Sequence, residues 1–184
     1  MDYKDTLSIL KKDLYTYMSK HPKRLKHIEG VASCMSTFSK TYDLNHEKAQ
    51  IIAYLHDLTK HETITFHRSH LFKEHMTVFK NEPYYLHALS AAFIGKTRYQ
   101  INDQSILDAV TYHCTGYKKL DIYGKLLIIS DVCEPSRSFI DTKEIYDLAC
   151  KDIDKAYERS IQIKYDAYMM HSTESHPWFD INEQ

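Results

Sequence analysis

Glycine, proline and cysteine are scarce in this chain of 184 residues, with four of each. Sheets and barrels need many tight turns, and turns depend on glycine and proline, so an all-β fold is disfavoured and long helices are favoured. The glycines are Gly30, Gly95, Gly116 and Gly124, and no pair has the spacing of a dinucleotide-binding turn or a P-loop. The cysteines, Cys34, Cys114, Cys133 and Cys150, contain no CxxC pair. That argues against a zinc knuckle or dithiol redox site and for reduced, partly buried thiols. An excess of one charge is missing too. Lys plus Arg number 24 and Asp plus Glu 25, a net of −1, so no overall basic field draws the chain to nucleic acid. No apolar run approaches the roughly 20 residues that span a bilayer. The opening MDYKDTLSIL carries two acids and lacks the apolar core of a secretory signal.

What is present is the mix of a globular protein, 43% hydrophobic and 27% charged, at a length that suits one domain over residues 1–184. The fold class expected is all-α. Apolar spacing predicts helices over 3–19, 22–41, 46–57, 84–96, 105–113 and 120–133, with a last long helix over 142–170. Pro22 suits a first helical turn, and Asn45 suits an N-cap. Residues 61–82 read as a loop with one short helix at most. The pair Trp178 and Phe179 is expected to dock back from the polar tail.

Histidine is abundant, with twelve residues. Several stand where a histidine is unexpected. Ala49, Ile52, Ala53 and His56 follow the i, i+3, i+4, i+7 pattern of one helix face. Tyr84, His87, Ala88 and Ala91 repeat it, as do Ile106, Ala109, Val110 and His113, and Gly124, Leu127, Ile128 and Asp131. His27 adjoins the Leu25–Ile28–Val31 face. Five helices thus aim a His or Asp inward, and Asp57 follows His56. A buried carboxylate without a partner costs several kcal/mol. A divalent metal satisfies such groups together, because it takes neutral imidazoles and carboxylates at once. Neighbours on a helix point about 100° apart, so His56 and Asp57 meet one ion only at a frayed helix end, or else the carboxylate bridges two ions. Both arrangements suit hydrolysis by a metal-activated water.

The pattern His27, His56-Asp57, His87, His113, Asp131 resembles the HD-domain metal-dependent phosphohydrolases. The segments RLKH at 24–27, HDLTK at 56–60, YHCTG at 112–116 and SDVCEPSR at 130–137 resemble, more narrowly, the YqeK family. The resemblance covers about residues 20–165. It implies a helical HD-domain fold with its metal-binding core at about 20–135, and a cytoplasmic enzyme that cleaves diadenosine tetraphosphate symmetrically into two ADP. By motif, His27, His56, Asp57 and Asp131 correspond to metal ligands, for iron in one or two ions, with manganese also accepted. Asp57, His87 and His113 correspond to catalytic positions. His87 and His113 hold a second ion or the bound phosphate, and His113 is also a candidate proton donor to the leaving group. Arg24, Lys60, His87, His113, Thr115, Gly116 and Arg137 correspond to nucleotide contacts. The partner implied is a small nucleotide, not nucleic acid or membrane, and a homodimer is compatible with the pattern. Ser136 stands where Asn is common in the family, and 61–82 departs from it. The competing readings are an HD phosphohydrolase for another nucleotide (a dNTP, a cyclic or an alarmone nucleotide) and a non-catalytic nucleotide sensor. His61, His67, His70 and His75 read as exposed loop histidines, and most of the fifteen tyrosines as packing.

Overall fold

A computed structural model describes residues 2–71, 73–79, 83–138, 141–172 and 178–179. The helices are α1 (Tyr3–Met18), α2 (Pro22–Thr41), α3 (His46–Leu55), α4 (Ile64–His70), α5 (Lys73–Val78), α6 (Leu86–Arg98), α7 (Gln104–Tyr112), α8 (Ile122–Cys133), α9 (Thr142–Ala149) and α10 (Ile153–Met169). A 3₁₀ turn at Pro83–Tyr85 leads into α6. Among the described residues there is no strand, and no helix is long and apolar enough to cross a membrane.

Local chemistry sets the helix starts. Asp2, Asn45, Thr63, Asp103, Asp121, Asp141 and Asp152 each accept a backbone N–H of the first turn through the side chain. α2 has no side-chain cap and opens on Pro22, whose missing N–H costs nothing there. Tertiary packing then selects the buried faces. α8 is the central element, buried from Leu126 to Cys133 and packed against α2, α7, α9 and α10. Leu10 and Leu14 of α1, Phe38 of α2, and Ile51, Ile52 and Leu55 of α3 close the core on one side. Fully burying each such side chain favours the fold by about 1.5–3 kcal/mol.

Three expectations need correction. Residues 61–82 hold two short helices, α4 and α5, with 72 and 80–82 outside the described residues. The long helix expected over 142–170 is two, α9 and α10, broken at residues 150–152. Asp152 adopts an extended φ of −152° and caps Lys155, so the carboxylate that would sit idle inside a helix starts a new one. Tyr84, expected on the inward stripe, is 62% exposed. Trp178 and Phe179 do dock back. Trp178 meets Phe79 and Tyr112, and Phe179 packs on Tyr165 and Tyr168.

Candidate metal centre

The inward-facing histidines and aspartates meet at one place. His27 comes from α2, His56 and Asp57 from just beyond α3, His87 from the first turn of α6, His113 from the end of α7 and Asp131 from the last turns of α8. All six are buried. α3 ends at Leu55, so His56 and Asp57 lie on a turn, and both reach the cluster although helical neighbours would diverge.

The histidine tautomers are set by their outer nitrogens. Nδ1 faces Ala53 O in His56 (2.7 Å), Tyr84 O in His87 (2.5 Å), Val110 O in His113 (2.7 Å) and the Glu134 carboxylate in His27 (2.9 Å). Each partner only accepts, so Nδ1 carries a hydrogen and Nε2 is the nitrogen turned toward the cluster. The four Nε2 atoms converge on the two aspartates. His27 Nε2 is 3.1 Å from Asp131 Oδ1 and 3.6 Å from Asp57 Oδ2. His56 Nε2 is 3.3 Å from Asp57 Oδ2. His87 Nε2 is 3.0 Å from Asp57 Oδ1, and His113 Nε2 is 3.9 Å from it. His87 and His113 face each other at 3.2 Å, Nε2 to Nε2. His56 Nε2 and Asp57 Oδ1 have no hydrogen-bond partner among the described residues.

Acceptors that face acceptors repel, and a cation among them converts the repulsion into coordination. The donor set fits a divalent ion on that ground. Protonation states agree. Burial and Lys60 push His87 down to about 4, and burial and its histidine neighbours push His113 well below the ordinary imidazole value. Burial opposes ionisation of Asp57 and Asp131, but His56 and Lys60 for the first, and Lys164 and His27 for the second, hold both carboxyls well below the usual range. Neutral imidazoles and ionised carboxylates are the forms a metal binds. His27 is raised instead. Burial works against its proton, and hydrogen bonds with Asp131 and Glu134 outweigh burial.

Cations ring the centre. Arg24 donates to Asp57 Oδ2 at 2.6 Å, and Arg137 to Asp131 Oδ1 at 2.6 Å. Lys60 Nζ lies 3.8 Å from Asp57 Oδ1 and 3.1 Å from His87 Nε2, with Tyr84's ring 3.4 Å beneath it. Beside His27 opens a cleft of about 510 Å³ walled by Arg24, Arg137, Lys20, Lys23 and Ser136, within the size range of small-ligand sites. Thr115 and Gly116 form the turn after α7. The Thr115 hydroxyl bonds back to Gly116 O, and Gly116 takes φ 77°, which favours glycine. No contact of these two with the cluster is among the described interactions.

Sequence reasoning missed four participants. Glu134 orients His27 through Nδ1 and is itself held by Ser136 N (2.7 Å) and Ser136 Oγ (2.5 Å). Gly30 makes room for it, since a Cβ there would sit 2.4 Å from Glu134 Oε2. Lys164 of α10 reaches Asp131 Oδ2 from a helix that carries none of the motif residues. Cys114 brings its sulfur beside His87 and His113. Glu134 lay inside a quoted segment and could have been found as the acid that a buried histidine needs. Nothing in the sequence marks Lys164. Outside the centre, His67 is not an exposed loop histidine. It is buried, and its Nδ1 meets Ser90 Oγ at 3.0 Å. His61 is exposed as expected, His70 is half-buried, and His75's side chain lies outside the described residues.

Residues 24–136 match the HD domain family. The chain is 26% identical over 164 residues to a protein of Bacillus subtilis named symmetrical bis(5'-nucleosyl)-tetraphosphatase, covering 88% of this chain and 85% of that one. It is 27% identical over 142 residues to a protein of the same name from Halalkalibacterium halodurans, covering 75% of each. A third, from Staphylococcus aureus, is 29% identical over 131 residues, covering 69% and 66%. Among solved structures, an HD superfamily hydrolase from Clostridium acetobutylicum, described as involved in NAD metabolism, superposes with a TM-score of 0.74. That match covers 92% of this chain and 86% of the other at 24% identity, a likeness of fold.

Proposed function

The chain belongs to the HD-domain family, and from that premise we propose that it is a metal-dependent phosphohydrolase cleaving diadenosine tetraphosphate between its two middle phosphates to give two ADP. The observation that carries the reading is the convergence of four histidine Nε2 atoms on two ionised carboxylates inside a ring of cations. The relatives named as symmetrical tetraphosphatases supply the substrate.

His27, His56, Asp57 and Asp131 would hold the ion, with iron or manganese as the metal proposed. The ion supplies Lewis acidity toward a phosphoryl oxygen and toward water. The chain's own residues do the rest. Glu134 keeps hydrogen on His27 Nδ1 and thereby keeps Nε2 available. Arg24 and Arg137 line the cleft and also touch the ligand carboxylates, so a polyphosphate seated there meets two guanidiniums suited to its geometry. Lys60 adds a point charge on the Asp57 side. Together they offset the charge that develops on the departing diphosphate. His113 is unprotonated at Nε2 and has no hydrogen there to give, which favours a ligand role over that of an acid toward the leaving group. The free, mostly buried thiols fit a reducing cytoplasm.

Purified protein supplied with Fe²⁺ or Mn²⁺ is expected to turn diadenosine tetraphosphate into ADP alone. ATP with AMP among the products would overturn the symmetric cut. Faster turnover of a dNTP, a cyclic nucleotide or an alarmone nucleotide in a substrate panel would overturn the substrate.

A further inference from the structure

We propose that Cys114 is a metal ligand, and that His87, His113 and Cys114, with Asp57 Oδ1 as a shared carboxylate oxygen, form a second, sulfur-bearing site for a thiophilic divalent ion of the zinc, cobalt or iron class. The inference rests on the reading of Asp57 as a ligand of the first ion, which it would bridge to the second.

Edge lengths carry the argument. Metal–nitrogen bonds of about 2.0–2.1 Å and metal–sulfur bonds of about 2.3 Å in a tetrahedron place nitrogens roughly 3.4 Å apart and nitrogen and sulfur roughly 3.6 Å apart. The structure has His87 Nε2 3.2 Å from His113 Nε2, and Cys114 Sγ 3.3 Å from His113 Nε2 and 3.7 Å from His87 Nε2. Asp57 Oδ1 stands 3.0 Å from His87 Nε2, is buried and has no hydrogen-bond donor among the described residues. At 3.9 Å from His113 Nε2 as well, it would supply the remaining vertex. Hydrogen bonding alone does not complete this corner. The single thiol hydrogen serves one nitrogen, Lys60 reaches the other at 3.1 Å, and Asp57 Oδ1 is left facing acceptors.

The chain path explains how consecutive residues share one ion. α7 ends at Tyr112, and His113 and Cys114 lie in the turn that Gly116 completes at positive φ. Their side chains therefore need not diverge as helical neighbours do. His56 and Asp57 use the same device after α3. A thiolate shifts preference toward softer ions and away from magnesium and calcium. On binding, a metal–sulfur bond forms, the S–H bond breaks, and its proton leaves to bulk water.

The test uses the full chain, stripped with a chelator and titrated with Co²⁺ alone. The expected result is two cobalt ions per chain and a near-ultraviolet sulfur-to-cobalt charge-transfer band that appears with one of them. Cys114→Ser and Cys114→Ala should each lose that band and one equivalent of cobalt, with far-ultraviolet circular dichroism reporting an intact fold. His27→Ala, which takes apart the first site, should keep the band and one ion. Two ions without the band, one ion without it, or a band that survives in both Cys114 variants would overturn the sulfur site and leave the first site standing. No cobalt bound at all would overturn the metal reading of both.

Discussion

Two regions of this molecule are rich in histidine, and they behave differently. At the centre, four histidines from four helices each tie Nδ1 to a fixed acceptor and turn Nε2 toward carboxylates. In and beside α4, His61 stacks on His21 with ring centres 3.8 Å apart, His67 bonds Ser90, and His70 stacks on Phe66 while its Nδ1 faces Phe66 O at 2.8 Å. His70 shows that a fixed outer nitrogen is not enough. A site also needs the inner nitrogens to converge, and it needs buried carboxylates among them. Asp57 and Asp131 provide that at the centre only.

The sharpest way to break the contrast is Asp57→Ala. Asp57 touches every histidine of the centre, so metal retention and turnover should fall by more than the roughly 10–100-fold typical of residues that only orient ligands. Retained metal content after dialysis, with normal ADP release, would sink the assignment. Glu134→Ala should then fall within that roughly 10–100-fold range in metal affinity by calorimetry, because His27 loses the partner that fixes its tautomer.

Acidification of the metal-free protein is a third handle. His87 is depressed from the ordinary 6.5 to about 4. Below pH 6.5 the unfolded chain therefore binds a proton that the folded chain refuses, and stability present above 6.5 drains away toward pH 4. The slope from one such group is at most about 1.4 kcal/mol per pH unit. His27 works in the opposite sense, since its raised value adds stability at acid pH that is lost as pH climbs through the folded value. Denaturant titrations across pH 4–8 should show a shallower acid slope in His87→Gln than in the parent. An unchanged slope would mean that His87 is not held neutral.

The outer region should respond through stability alone. His67→Ala removes a buried hydrogen bond to Ser90, which also contacts Thr59, and should cost about 1–3 kcal/mol in unfolding free energy with metal stoichiometry unchanged. The exposed His61 should matter least, with His61→Ala within about 0.5 kcal/mol of the parent. A lost metal equivalent in either variant would erase the distinction between the two regions.

Much of the centre was legible because helices have a fixed period. His56, His113 and Asp131 each close an apolar stripe and His87 lies within one, and a polar group that must be buried calls for a partner. The α2 start at Pro22 and the α3 cap at Asn45 were legible for local reasons as well. The break at residues 150–152 was not, because no glycine or proline marks it and Asp152 competes for the backbone through its side chain. His67 was misread for a related reason. Residues 61–82 show no regular apolar period, and the contact with Ser90 of α6 is made only in the fold.

Periodicity and residue chemistry by themselves determined most of the helices this chain forms and which buried groups demand a cation, since both follow from interactions within a few residues. Folding in three dimensions decided the rest. Glu134 beside His27, Lys164 on Asp131 and the Cys114 sulfur near His87 are meetings across long stretches of chain. Those distances depend on how helices pack, and packing is set by the shape of the whole core, which no local spacing encodes.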